Sequence, residues 1–438
     1  MKRVRDAAEE IGEVIDLAHD GRGVVRIDGK TVFVADALPG ETVALRRTFR
    51  HRSHDEARLE RVIHPADARV EPACPHFGAC GGCALQHLAA DAQLSFKQSQ
   101  LLEALARIGN VQPGEVLPPL LGPVWNYRRR ARLGVKSVAR KGRVLVGFRE
   151  RAARFVADLH ECRVLQSPVS ELIDPLAELV QSLSIAERLP QVEVAVADNG
   201  CALVLRVLSA PTDSDFEKIR QFGRDHGLHL YLQPGGPATI EALDGAAPPL
   251  YYELPEFDIR IEFEPTDFLQ VNGALNRVMV SRAVELLQLR AADSVLDLFC
   301  GLGNFSLPLA RHAGNVVGVE GDAGLVERAS RNARRNSIDN ASFHAVNLAQ
   351  DVATLHWARN RYDLVLLDPP RAGAREVLPV VAGCGARRLM YISCHPGSLA
   401  RDAGILVNDM GFRLVSTGVM DMFPHTAHVE AMAVFDAQ

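Results

Sequence analysis

The chain is poor in cysteine, lacks any long apolar run and shows no strong excess of either charge. Eight cysteines in 438 residues are too few for a disulfide framework, which excludes a disulfide-stapled secreted scaffold. The longest stretch without a charged side chain, residues 72–90, is broken by Pro75, Gly78, Gly81, Gly82 and three cysteines, so it cannot span a membrane. Met1-Lys2-Arg3-Val4-Arg5 leads into acidic residues instead of an apolar signal core, and the expected location is the cytoplasm. The net charge of −5 argues, taken whole, against a nucleic-acid partner. No repeat of fixed period is present. With 47% hydrophobic and 24% charged residues, the composition is that of a folded protein, and the length suits two or three domains.

Residues 11–63 hold short β-branched runs, Glu13–Leu17, Gly23–Ile27 and Thr31–Val34, with Asp28-Gly29 as a hairpin turn; they predict a small β-barrel. Its basic stretch Arg46–Arg52 suits an oligonucleotide or simply a solvated edge. A Cys-rich loop at 74–83 precedes an amphipathic helix predicted over 91–108, ended by Gly109-Asn110. Residues 119–265 mix strand patterns at 191–196 and 202–207 with helices near 168–184 and 213–226, an α+β pattern. From about 266 onward strand, turn and helix alternate, which predicts a parallel, doubly wound sheet.

Ligands of such a sheet lie beyond the carboxyl ends of its strands. Gly301-Leu-Gly303 follows the strand Val295–Phe299, but Ser306 stands where a dinucleotide fingerprint has its third glycine. Glu320 ends the next strand, where an acid accepts from both ribose hydroxyls; Asn347 follows the third strand and Asp368-Pro-Pro the fourth. That layout fits S-adenosylmethionine rather than a nicotinamide. At the reacting end, Arg371 occupies the place after the prolines where a base-stacking aromatic is usual, and Cys394 follows the next strand. This pair suggests covalent catalysis. Uracil C5 is too weak a nucleophile to take a sulfonium methyl unless a thiolate first adds at C6, and a base must later remove the C5 proton. Glu430, opening the last strand, suits that base.

Phe268-Leu-Gln270-Val-Asn272, Leu298–Ser306, Asp368-Pro-Pro-Arg-Ala-Gly373, Ser393-Cys394 with Ala400-Arg-Asp402, and His428-Val-Glu430 together resemble the RNA uracil-C5-methyltransferase family. The resemblance implies Cys394 as nucleophile, Glu430 as base, and Gln270, Phe299, Asn304, Glu320, Asn347 and Asp368 around S-adenosylmethionine and the base. His395 departs from the family's usual Asn; it is expected to point away from the pocket and receives no role.

Cys74, Cys80 and Cys83 have metal-binding spacing in a glycine-rich loop. His76 or His87 would complete a zinc site, and Cys162 an all-cysteine site for zinc or [4Fe-4S]; spacing does not separate these. The family resemblance implies a [4Fe-4S] cluster on Cys74, Cys80, Cys83 and Cys162. Cys201, Cys300 and Cys384 are left without chemistry. Residues 126–154 hold eleven Lys or Arg against one acid, Glu150, a local charge of +10 hidden inside the net −5; with Tyr127 and Phe148 they suit RNA phosphates and stacked bases.

The expectation is therefore a monomeric multidomain enzyme. Its parts are an N-terminal β-barrel of TRAM or OB type at 1–68, a central α+β iron-sulfur and RNA-binding domain at 69–85 and 119–265, and a Rossmann-like methyltransferase domain at 86–118 and 266–438. The resemblance implies methylation of a 23S ribosomal RNA uracil at C5. The alternatives are another rRNA site, tRNA, or a non-catalytic RNA-binding factor, for which loss of Cys394 or Glu430 would be expected.

Overall fold

The computed structural model describes residues 2–4, 7–151, 153–245, 248–350 and 352–438. Met1, Arg5 and Asp6 of the N-terminal segment, and Ala152 of the basic segment, lie outside the described residues. The chain forms two compact units: residues 1–100 with 148–157 and 423–428, and residues 101–147 with 158–422 and 429–438. No described helix is long and apolar enough to cross a membrane.

In the first unit, strands Glu9–Leu17, Gly23–Ile27, Lys30–Val34, Thr42–Arg50 and His54–His64 close into a five-stranded barrel, because Thr42–Arg50 pairs with both Glu9–Leu17 and His54–His64. Alternation sends Val14, Val25, Val32, Val34, Val43 and Leu45 inward as the barrel core. Charges buried at its edge are paired: Asp55 accepts from Lys30 and Arg47, and Glu41 from Arg69 and the Leu38 amide. The same unit holds the loop of Cys74, Cys80 and Cys83 and the start of helix Ala90–Ala104. Buried Lys97 on that helix donates to the Phe423 carbonyl at 2.9 Å. The α-helix gives way to a π-turn, Leu105–Gly109, where the sequence predicts one continuous helix.

The second unit contains two large sheets. The first is mixed, ordered Glu241–Ala242, Leu228–Gln233, Gly200–Arg206, Gln191–Ala197, Arg130–Val138, Arg143–Gly147. Helix Asp213–His226 crosses over between its one parallel pair, Gly200–Arg206 and Leu228–Gln233. That helix starts on a capping box in which the Thr212 hydroxyl accepts from the Asp215 amide, while the Asp215 carboxylate accepts from the Thr212 amide. The Ser184 amide and hydroxyl also donate to this buried carboxylate, at 2.8 and 2.5 Å.

The second sheet is the Rossmann-like one. Strands Ala341–Ala345, Asn315–Glu320, Ser294–Leu298, Leu364–Leu367 and Arg388–Ser393 run parallel in that order; Glu430–Ala437 then inserts antiparallel, beside Phe412–Met420. The sheet is therefore parallel only in part: its last strand turns back, which brings the start of that strand to the carboxyl end of the others. Strands buried on both faces read as unbroken apolar runs, such as Leu364–Leu367. The helix that follows the glycine turn, Ser306–Ala310, is short.

Burial opposes ionisation of Asp215, but the donors of Ser184 and Thr212 hold its carboxyl well below the usual range. Its contribution is thus fully present above the unfolded carboxyl pKa of about 4 and is lost as pH falls. Asp215→Ala should cost about 2–4 kcal/mol at neutral pH. Urea unfolding should show that difference shrinking below about pH 4.

Candidate active site

The glycine turn after strand Ser294–Leu298 sets the site. Phe299 is held at φ +65°, rare for a residue with a side chain, and Gly301 and Gly303 follow at +54° and +90°. The Phe299 and Cys300 amides both donate to the Val319 carbonyl of the next strand, at 2.8 and 3.1 Å. This bends the chain so that the Phe299 ring faces a cavity of about 500 Å³. Glu320 closes the turn, its carboxylate accepting from the amides of Gly301, Gly321 and Asp322.

The cavity is also lined by Gln270, Asn304, Asp368, Arg371, Cys394 and Glu430. Gln270 lies on an extended segment pinned by the central sheet: the Arg129 amide donates to the Val271 carbonyl at 2.9 Å and Arg130 to the Asp267 carbonyl at 3.1 Å. Asn304 is oriented by the Tyr252 hydroxyl, 2.9 Å from its Oδ1, and by a reciprocal amide pair with Asn276. Of the residues expected around the cofactor, Asn347 is the one outside the lining. It is exposed, and its side chain accepts from the Ala349 amide.

Three carboxylates make this end of the sheet electronegative. Burial pushes Asp368 up to about 7, with the Glu320 charge adding. Asp297 is pushed to about 7 as well; burial dominates, a Ser306 hydroxyl bond at 2.5 Å opposes, and Asp368 and Glu320 add. Its other oxygen has no hydrogen-bond partner among the described residues. Asp297 sits inside an apolar strand and was missed as a site residue; an acid one residue before a strand's end is the signal that pointed to it. Burial also raises the Cys394 thiol to about 11, Glu430 and Asp368 add, and Arg371 opposes. Arg371 is the one cation among the cavity's lining residues.

His395 has a structural role. Its Nδ1 accepts from the Ser398 amide at 3.1 Å and caps helix Pro396–Asp409, a task that Asn performs equally well. Cys201 and Cys384 are buried, and Cys300 is a buried wall of the cavity. Burial pushes the Cys201 thiol up to about 12.

The basic segment is shared between the two units. It is divided between the units at residues 147 and 148. Six of its eleven cations are engaged by acids: Arg129 by Asp198, Arg130 and Arg132 by Glu193, Lys141 and Arg143 by Asp158, and Arg151 by Asp36. Arg129 is also buried against the Tyr252 ring, 5.4 Å from its centroid. Lys136, Arg140, Arg149 and Arg154 stay exposed.

In the cysteine loop, the Gly82 amide approaches Cys80 Sγ at 3.4 Å, Cys74 donates its amide to Gln86, and Arg151 donates to the Cys83 carbonyl. Burial and the neighbouring Cys74 raise the Cys80 thiol. Zinc at about 2.3 Å from each thiolate would draw its ligand atoms to about 4 Å from one another. Among the described residues the donors that converge within 4.8 Å are His51, His54 and Glu56, and Glu56 is already met by Arg22 at 3.6 Å. His87 is buried with neither ring nitrogen hydrogen-bonded among the described residues; burial lowers it to about 4, and it packs on Phe77. Cys162 is a buried residue of the second unit.

A family model described as tRNA (Uracil-5-)-methyltransferase matches residues 253–437. A Stenotrophomonas maltophilia (strain K279a) protein named 23S rRNA (uracil(1939)-C(5))-methyltransferase RlmD is 50% identical over 427 residues, 97% of this chain and 96% of its own length. Its namesake in Alkalilimnicola ehrlichii is 52% identical over 426 residues, with the same coverage. The chain belongs to the RNA uracil-C5-methyltransferase family. The family's fold extends over the whole molecule: the structure of Pyrococcus abyssi tRNA (uracil-54, C5)-methyltransferase in complex with S-adenosyl-L-homocysteine matches with a TM-score of 0.75. That match covers 97% of this chain and 99% of that one, at 24% identity.

Because Glu430 raises the Cys394 thiol, Glu430→Gln should shift the midpoint of Cys394 alkylation by iodoacetamide to lower pH, about half a unit or more. Peptide mass spectrometry across pH 7–11 measures this; an unchanged midpoint would mean the two groups do not interact.

Proposed function

We propose that this methyltransferase modifies C5 of the uracil in 23S ribosomal RNA for which its RlmD relatives are named. The observation that carries the reading is one cavity holding a thiol, an acid and a cation, Cys394, Glu430 and Arg371, beside the glycine turn. The non-catalytic alternative loses ground because both reactive groups are present in that cavity. S-adenosylmethionine supplies the methyl group as an electrophilic sulfonium. Gln270, Phe299, Asn304, Glu320 and Asp368 would hold it, and the desolvated carboxylates suit a cation; Asn347 would have to turn inward from the strand end to join them.

Cys394 adds as thiolate to C6 of the uracil, which places electron density on C5. After methylation at C5, Glu430 takes the C5 proton, and the electron pair of that bond reforms the C5–C6 double bond as the thiolate leaves. Arg371 offsets negative charge at the reacting end. The uracil has to be flipped out of its RNA to reach the cavity. Lys136, Arg140, Arg149 and Arg154 are the exposed cations of the basic segment best suited to phosphates, and the barrel acts as an RNA-binding module of TRAM type. The enzyme works as a monomer in the cytoplasm, where ribosomal RNA is made.

We further propose that Cys74, Cys80, Cys83 and Cys162 hold a [4Fe-4S] cluster. A four-iron cluster takes each thiolate on a different iron, so its ligands stand wider apart than those of one zinc ion. The Gly82 amide facing Cys80 suits a sulfur that carries negative charge, as a cluster ligand does. Nothing in methyl transfer requires an electron, so its role here is to tie segments of the chain together.

Ribosomal RNA from a strain lacking the gene should gain label from radioactive S-adenosylmethionine as 5-methyluridine at one large-subunit site; label confined to tRNA, or on adenine, rejects the reading. Cys394→Ala should abolish turnover, and Glu430→Gln should accumulate a methylated protein–RNA adduct that survives denaturing gels. Anaerobically purified protein should contain about four iron and four sulfide per chain; stoichiometric zinc without iron rejects the cluster.

A further inference from the structure

The motif Ala400-Arg-Asp402 has no part in the reaction described above, yet Asp402 is fully buried and bonded on every side. Its Oδ2 accepts from the Ala374 amide at 2.8 Å and from the Tyr391 hydroxyl at 2.7 Å, and its Oδ1 from Arg401 Nε at 2.8 Å. Arg401 in turn donates to the Ala372 carbonyl at 2.8 Å. Between these contacts lies Gly373, at φ +88°, where a Cβ would come within 2.5 Å of both Asp402 Oδ2 and Arg401 Nη2. The Gly373 amide also donates back to the Pro370 carbonyl at 2.8 Å.

The pair Arg401-Asp402 therefore grips residues 372, 373 and 374, which form the far side of the turn whose near side is Asp368-Pro369-Pro370. Arg371 is left as the exposed corner of that turn, at the cavity that Cys394 also lines. The other end of the grip is Tyr391, three residues before Cys394 on the strand that delivers the thiol. One carboxylate thus holds both the cation's turn and the nucleophile's strand. The remaining charged groups of the cavity, Glu320, Asp368 and Glu430, are all acids, so the placement of Arg371 is the one positive contribution that the lining makes.

We propose that Asp402 is a positioning residue for the reacting end, fixing the turn so that the Arg371 guanidinium faces Cys394. The inference rests on Cys394 being the nucleophile. A 1 Å error in such placement is enough to cost about a hundredfold in rate. Asp402→Asn keeps the size of the side chain but turns one acceptor into a donor against donors.

The test is the full-length protein with Asp402→Asn, Arg371→Gln and the double variant. Three quantities are read: kcat, S-adenosylmethionine affinity by calorimetry, and the pH midpoint of Cys394 alkylation. Asp402→Asn should lower kcat about 10- to 100-fold, leave cofactor affinity within about twofold, and raise the alkylation midpoint by about half a unit or more, because Arg371 no longer favours the thiolate. Arg371→Gln should move the midpoint the same way, and the double variant no further, since the two act through one contact. An unshifted midpoint in Asp402→Asn, or additive shifts in the double variant, overturns the assignment. If Asp402→Asn fails to bind cofactor, Tyr391→Phe decides, because it removes one donor to Asp402 and keeps the ring: a raised midpoint supports the assignment and an unchanged one overturns it. Cys394→Ala with normal turnover would instead overturn the nucleophile reading on which the inference rests.

Discussion

The cavity is organised by the desolvation of acids at the carboxyl ends of parallel strands. Asp297 lies at the end of one strand, Asp368 follows its neighbour and Glu320 ends a third; Asp297 is fully buried, Asp368 is half-buried at the cavity wall, and burial raises both to about 7. An apolar sheet core would ordinarily reject such groups. They are tolerated because the surrounding backbone is bent to serve them: Ser306 donates to Asp297, and three amides of the turn and the next helix's entry donate to Glu320. The left-handed backbone at Phe299, Gly301 and Gly303 is the local cost of that bend. A ligand carrying positive charge relieves the whole arrangement at once, since it lets each acid ionise without facing another bare acid.

Charge is used locally in the rest of the chain as well. The +10 segment was legible as a basic run but not as a set of ion pairs, because the acids that neutralise it are distant in sequence: Asp198 and Glu193 lie more than sixty residues beyond Arg129 and Arg130, and Asp36 more than a hundred before Arg151. Sequence composition counts charge, while folding decides which charge reaches solvent. Arg129 and Arg130 pin the segment that presents Gln270.

The parts of the fold that depend on local pattern were readable. The barrel strand Gly23–Ile27 and the helix Asp213–His226 stand where hydrophobic period and capping residues place them. The reversal of Glu430–Ala437 was not readable, because an apolar run on a central strand looks the same in either direction. That reversal matters, since it is what brings Glu430 to the same cavity as Cys394. The family resemblance pointed to Gln270, Phe299, Asn304, Glu320 and Asp368, and all five are in the lining. The grip of Asp402 on the turn at 372–374 was invisible, because its partners are a distant tyrosine and backbone atoms, which leave no pattern in a side-chain alphabet.

A thiol pushed up to about 11 is ill suited to attack at neutral pH, yet the cause of the shift accounts for the role proposed for it. Burial and two acids, Glu430 and Asp368, disfavour the thiolate, and Arg371 opposes them. A cysteine in this setting stays protonated and inert towards stray electrophiles while the cavity is negative. A positive charge admitted to the cavity would stabilise the thiolate against those same acids. Glu430 then has a consistent place in the cycle. As an anion it restrains the free thiol, and once sulfur is bonded to carbon and no longer competes for charge, the same carboxylate is available to accept a proton. The proposed mechanism needs this acid within electrostatic reach of the thiol, and the antiparallel last strand places it there.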